Sequence, residues 1–217
     1  MIKIIVSLAM LLVGSIASSQ NQSQSIQSQL DSVWKTDQEI RFKLIQLQQD
    51  GKMNSDEVKE LAQQMKMQDS LNLKKVEIIL QDGWPEDLNM QGNQTIFLVI
   101  QHADFQTQQK YLPVIEKAVQ DNKTFPANLA LLKDRMALRE GKKQIYGSQI
   151  FIDSKTGKKY VQPLQDPENV DELRAEVGLP TMETYLQQSF QMNWSLDNYY
   201  KDLPEIEKLL EARKSAK

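Results

Sequence analysis

Apolar residues recur at helical spacing over most of this chain. Ile26, Leu30, Val33, Trp34, Ile40 and Leu44 form one stripe and predict a first helix from about Ser25 to Gln49, with Gly51 as its stop. Val58, Ala62, Met65, Leu73, Val76 and Leu80 form a second stripe. Asn54, with Glu57 in capping-box spacing, opens that helix; Gly83 ends it, and Trp84-Pro85 turns the corner. The run Ile96 to Ile100 is apolar on all sides, which places a third helix, from about Gln94 to Phe105, in the middle of the fold. Further helices are predicted from Gln108 to Gln120, from Thr124-Pro126 to Gly141, from Asp166-Pro167 to Gly178, and from Pro180 through Tyr185. The period changes between Ser148 and Gln162. Ile150-Phe151-Ile152 and Tyr160-Val161 flank Asp153-Ser154-Lys155-Thr156-Gly157, the pattern of a small hairpin. The expected fold class is mainly α, a compact array of about six to eight helices with one small β-hairpin.

The two ends read differently. Lys3 precedes an apolar run from Ile4 to Gly14, and Ser15-Ile16-Ala17 or Ala17-Ser18-Ser19 offers small residues for cleavage. The run is shorter than the ~20 residues needed to span a bilayer. Residues 1–19 are therefore expected to be a signal peptide, 20–25 a flexible leader, 26–190 a single helical domain and 191–217 a C-terminal extension ending in a helix from Pro204 to Lys214. The mature protein is expected to be exported, periplasmic or extracellular, with no membrane span after cleavage.

Composition narrows the function classes. The formal net charge is -3 with the signs interspersed, and no basic stripe marks a nucleic-acid partner. Cysteine is absent, which excludes disulfides, thiolate metal sites and a lipid-modified N-terminal cysteine. With a single histidine as well, zinc or copper is disfavoured. An all-oxygen site for calcium or magnesium stays open, although no acidic loop has ligand spacing. The expectation is no cofactor and no metal. No Gly-rich phosphate loop, nucleophile elbow or paired-histidine protease motif occurs.

Charges fall where apolar residues are expected. At 100° per residue, the stripe of the first helix centres on Asp37, with Arg41 one turn on; that of the second centres on Asp69, beside Asn72. Asp134, followed by Arg135, lies on the stripe made by Ala127, Ala130, Leu131, Ala137 and Leu138. An unpaired buried charge costs several kcal/mol, so these carboxylates need partners. Arg41 is the nearest for Asp37, at i,i+4. The set reads either as ion pairs that fix helix docking or as a polar pocket between helices. His102 lies among Leu98, Val99 and Phe105, flanked by Gln101 and Asp104. It reads first as a hydrogen-bonded core residue and second as an acid or base. Gln144, Tyr146 and Gln149 surround Gly147 at a helix-to-strand junction, where they either face a cleft or bond local backbone.

Several of these residues occur in a recognisable order. Asp37-Gln38-Glu39-Ile40-Arg41, Gly83-Trp84-Pro85, Gln101-His102-Ala103-Asp104, Asp134-Arg135, Gln144-x-Tyr146-Gly147-Ser148-Gln149 and Val170-Asp171 through Gly178-Leu179 follow one another along the chain. Between about Leu30 and Tyr185 the series resembles the bacterial family known as domain of unknown function 6624; Ser148 departs from the threonine more usual there. The resemblance implies a bacterial source and a single domain, and brings no substrate with it.

Two functions are compatible with these residues. One is a binding or interaction domain of the cell envelope, with a pocket for an unknown small molecule or envelope component. Its candidate ligand contacts are Arg41, Asp69, Gln101, Arg135, Gln144, Tyr146 and Gln149. The alternative is a hydrolase-type enzyme in which His102 is the general acid or base and a carboxylate such as Asp37 or Asp134 orients it or serves as a raised-pKa acid.

Overall fold

The computed structural model describes residues 2–52, 55–153 and 155–215; side chains are described from residue 25 to residue 213, Gln48 excepted. Contacts divide the chain into two compact units, Met1–Thr124 and Phe125–Lys217. The division falls inside the stretch that the sequence reads as one domain. Eight helices and one two-stranded sheet are present among the described residues, so the chain is mainly α.

The first unit holds α1 (Ile2–Gln49), α2 (Asp56–Ile79), α3 (Met90–His102) and α4 (Phe105–Gln120). α1 packs on α2 and α3, α2 packs on α3, and α3 packs on α4. α1 continues through the Ser/Gln-rich stretch expected to be a leader, since such residues lower helix propensity only slightly once a helix is running. α2 is capped by Ser55, whose Oγ accepts from the Val58 N–H at 3.3 Å; Asn54, the expected cap, lies outside the described residues. α3 begins four residues before the predicted start. Asn89 Oδ1 accepts from the Gly92 N–H at 2.8 Å, a polar cap that hydrophobic periodicity does not register. A Cβ on Gly92 would lie 2.6 Å from Gln27 Oε1, so this glycine lets Gln27 reach the start of α3 and accept from the Asn89 N–H. Asp104 ends the run of α3 by capping α4, accepting from the Thr107 N–H at 2.8 Å. Leu30, Val33, Val76, Ile96, Ile100 and Ile115 are fully buried, so the third helix lies in the core of the first unit.

The second unit holds α5 (Pro126–Arg139), β1 (Ile150–Ile152), β2 (Lys159–Val161), α6 (Val170–Glu176), α7 (Met182–Phe190) and α8 (Leu196–Ser215). The strands pair antiparallel, Ile150 facing Val161 and Ile152 facing Lys159. α7 starts two residues after the predicted Pro180, and two other starts differ more. α6 opens at Val170, because Asp166 accepts from the Asn169 side chain instead of capping a helix at Pro167. α8 opens at Leu196 and runs through Pro204. Tyr199 and Ile206 are buried on either side of that proline, and packing of this kind outweighs the local cost of the missing N–H. The tail belongs to the core: Tyr199 packs with Val161, Leu164, Val170, Met182 and Leu186. Among the described residues no helix is long and apolar enough to cross a membrane.

Candidate functional site

Three helices of the first unit bring polar residues to one place. Asp37 is buried on α1, 3% exposed, as its position on the apolar stripe requires. Arg41, one turn on, sets Nη1 3.0 Å from Asp37 Oδ1. Its Nη2 donates to Asp69 Oδ1 on α2 at 2.9 Å. One guanidinium thus links carboxylates on two helices, a fork geometry that lysine could not reproduce. Gln38 Nε2 donates to the other Asp37 oxygen at 2.7 Å. His102, the last residue of α3, puts Nδ1 3.5 Å from Asp37 Oδ1. That separation is long for a hydrogen bond, and the buried nitrogen makes none among the described residues. Burial pushes the Asp37 carboxyl up. The His102 imidazole, the Arg41 guanidinium and the Gln38 amide outweigh it and hold the group below its ordinary range.

Polar side chains continue beside this cluster. Asn72 is fully buried, its Oδ1 accepting from Gln68 Nε2 at 2.9 Å and from Thr36 Oγ1 at 3.3 Å. Asn72 Nδ2 and Gln101 Oε1 are buried without a hydrogen bond among the described residues. Donor atoms of Asp37, Asp69 and His102 all lie within 4.8 Å of one another, a spacing compatible with a metal ion. Helical spacing alone relates Asp37 to Arg41. It singles out Asp69 and His102 without relating them to that pair.

The remaining candidates belong to the second unit. Asp134 is fully buried and accepts three backbone N–H groups, from Ile145 at 2.7 Å, Tyr146 at 2.9 Å and Ser148 at 2.9 Å. Both of its oxygens are engaged in folding the 145–148 turn. Gln144 is also fully buried; it donates to the Gln149 and Gln162 carbonyls and accepts from the Gln149 N–H. Tyr146 contributes its backbone, donating to Asp134 and accepting from Arg174. Arg135 and Gln149 line an open cleft of about 760 Å³ together with Arg139, Lys142, Lys143 and Arg213.

Arg174 is absent from the candidates that the sequence supplies. It is 1% exposed, donating to the Pro180 carbonyl at 2.5 Å and the Tyr146 carbonyl at 2.6 Å, with its guanidinium 4.8 Å from the centre of the Tyr185 ring. Burial lowers its pKa despite the nearby Tyr185, Asp171 and Asp134. Its spacing of four from the buried Val170 is the available signal, but a seven-residue helix gives too few positions to define a face.

A model for a family of unknown function, DUF6624, matches residues 24–194. No curated protein and no solved structure matches the chain.

Proposed function

The chain belongs to the DUF6624 family, and we propose that this member is an exported binding domain of the bacterial envelope whose ligand seat is the Asp37–Arg41–Asp69–His102 cluster. The observation that carries this reading is the meeting, from α1, α2 and α3, of charged groups with polar groups that have no hydrogen bond among the described residues. Polar groups in a core are costly, and the partly satisfied ones point to a partner from outside the chain. The apolar run after Lys3 and the small residues up to Ser19 support export.

A ligand screen by thermal shift tests the seat, because a ligand specific to the folded state raises the melting temperature. Each hit is repeated on Asp69→Asn. Loss of the shift in that variant is expected; hits that survive it place the seat elsewhere. Mass spectrometry of the secreted protein is expected to find a mature start between Ser18 and Gln20. An intact N-terminus on released protein would sink the export reading.

A second reading rests on the approach of His102 Nδ1 to Asp37 Oδ1 at 3.5 Å. A buried carboxylate beside an imidazole is how a general acid or base is oriented. Hydrolysis of a model ester or glycoside, lost in His102→Gln, would favour it over simple binding.

A further inference from the structure

Resting on that same seat, we propose that Asp37, Asp69 and His102 bind a divalent first-row transition-metal ion, and that Arg41 is the cation the ion displaces. Their donor atoms are brought within 4.8 Å of one another by three separate helices, so the set is a product of the fold and not of one local run. It is mixed, with two carboxylates and one imidazole. Such a set suits manganese, iron, cobalt or zinc better than calcium or magnesium, which favour all-oxygen shells.

Two features of His102 point to a cation. First, His102 Nδ1 is buried, lacks a hydrogen bond among the described residues and stands 3.5 Å from Asp37 Oδ1. A neutral imidazole in that place turns a nitrogen lone pair or an N–H toward a carboxylate oxygen, and the lone pair suits a metal. Second, His102 is the last residue of α3, where the helix dipole adds partial negative charge. With Asp37 and Asp69 negative and Arg41 positive, the formal charge of the cluster is -1 when His102 is neutral.

Arg41 is the obstacle and also the device. Its two amino groups lie 3.0 Å from Asp37 Oδ1 and 2.9 Å from Asp69 Oδ1, where a metal would need those oxygens. A guanidinium and a divalent ion repel at that range. The side chain is long and 18% exposed, so it reaches solvent by rotation about its own bonds. In the form described by this structure it keeps the two carboxylates together and compensates their burial. One cation then replaces the other, which spares the fold from leaving the buried Asp37 and the partly buried Asp69 unpaired.

The experiment uses the full mature chain, stripped with a chelator and titrated with Zn²⁺, Mn²⁺, Mg²⁺ and Ca²⁺ under thermal shift and calorimetry. The expected result is saturable binding of about one Zn²⁺ or Mn²⁺ per chain, stronger than that of Mg²⁺ or Ca²⁺. Asp69→Asn and His102→Gln are each expected to weaken it at least about tenfold, comparable to or beyond the loss on changing an outer-shell partner. Arg41→Met, which removes the competitor, is expected to tighten it. Circular dichroism confirms that each variant is folded. Should Arg41→Met not fold, the other two variants decide. Absence of saturable binding, or binding unchanged in both Asp69→Asn and His102→Gln, overturns the metal. An organic ligand whose shift persists in chelator but vanishes in Asp69→Asn would keep the seat and still overturn the metal.

Discussion

The guanidinium of Arg174 donates at 2.6 Å to the backbone carbonyl of Tyr146, 28 residues earlier in the chain. The same side chain donates to the Pro180 carbonyl. It therefore ties the turn after α5 to the loop between α6 and α7 within the second unit. Lysine cannot hold both carbonyls with one planar group. Arg174→Lys is expected to cost about 2–3 kcal/mol, the scale of losing a hydrogen bond to a charged donor at a buried site. Urea denaturation measures it, and a loss below about 0.5 kcal/mol, the range of a neutral surface change, would show that the fork carries no stability.

Asp134 should be among the least replaceable residues. Three N–H groups of the 145–148 turn end on its carboxylate. Asp134→Ala strands all three and is expected to cost about 3–5 kcal/mol, at the high end for single changes. Asp134→Asn keeps one acceptor oxygen and should fall between that variant and the wild type. Equal melting temperatures for Asp134→Asn and the wild type would mean that the carboxylate charge is not needed there.

Asp37 is buried and Arg41, 18% exposed, is its i,i+4 partner, so removing the arginine leaves the carboxylate to carry the cost of burial. Arg41→Ala is expected to lose about 3–5 kcal/mol. The double change Asp37→Leu with Arg41→Met should lose much less than the two single changes together. Additive effects in chemical denaturation would show that the two side chains are not coupled.

His102→Gln is expected to change the stability of the chelator-treated protein by less than about 1 kcal/mol, because Nδ1 has no hydrogen bond to lose among the described residues. Its sequence context suggests a packed histidine with satisfied nitrogens, for which the loss would reach about 1–3 kcal/mol. A loss in that upper range would show that the ring is held by bonds the structure does not display.

Three tyrosines of the second unit should ionise late. Burial pushes Tyr185 and Tyr199 up; Tyr200 is pushed up to about 12, chiefly by donating to Glu168. A phenol whose folded pKa lies above its unfolded value of about 10 favours the folded state below that pH. The contribution is therefore complete below about pH 10 and lost as the pH rises through the folded pKa. Phenolate absorbance should rise in a late phase that moves to lower pH in Glu168→Gln. A single transition near the ordinary tyrosine value, before any unfolding, would refute this.

What the sequence determined by itself is whatever a single helix determines. A fixed 100° turn per residue puts Asp37 and Arg41 on one apolar face whatever the rest of the chain does, and the pair is found at 3.0 Å. The same rule identified Asp69 and Asp134 as charges aimed inward, and the change of period located the hairpin. Cap-defined starts were less legible, since Asn89, Asp104 and Ser195 act through hydrogen bonds and leave no mark on hydrophobic spacing. Only the tertiary structure decided that Asp69 shares Arg41 with Asp37, that His102 arrives beside them, and that Asp134 serves the turn at 145–148. Each of these meetings depends on how far one helix is shifted and rotated against another, or on how a loop returns to it. Those quantities are set by side-chain packing summed over the whole contact, and no local periodicity encodes them.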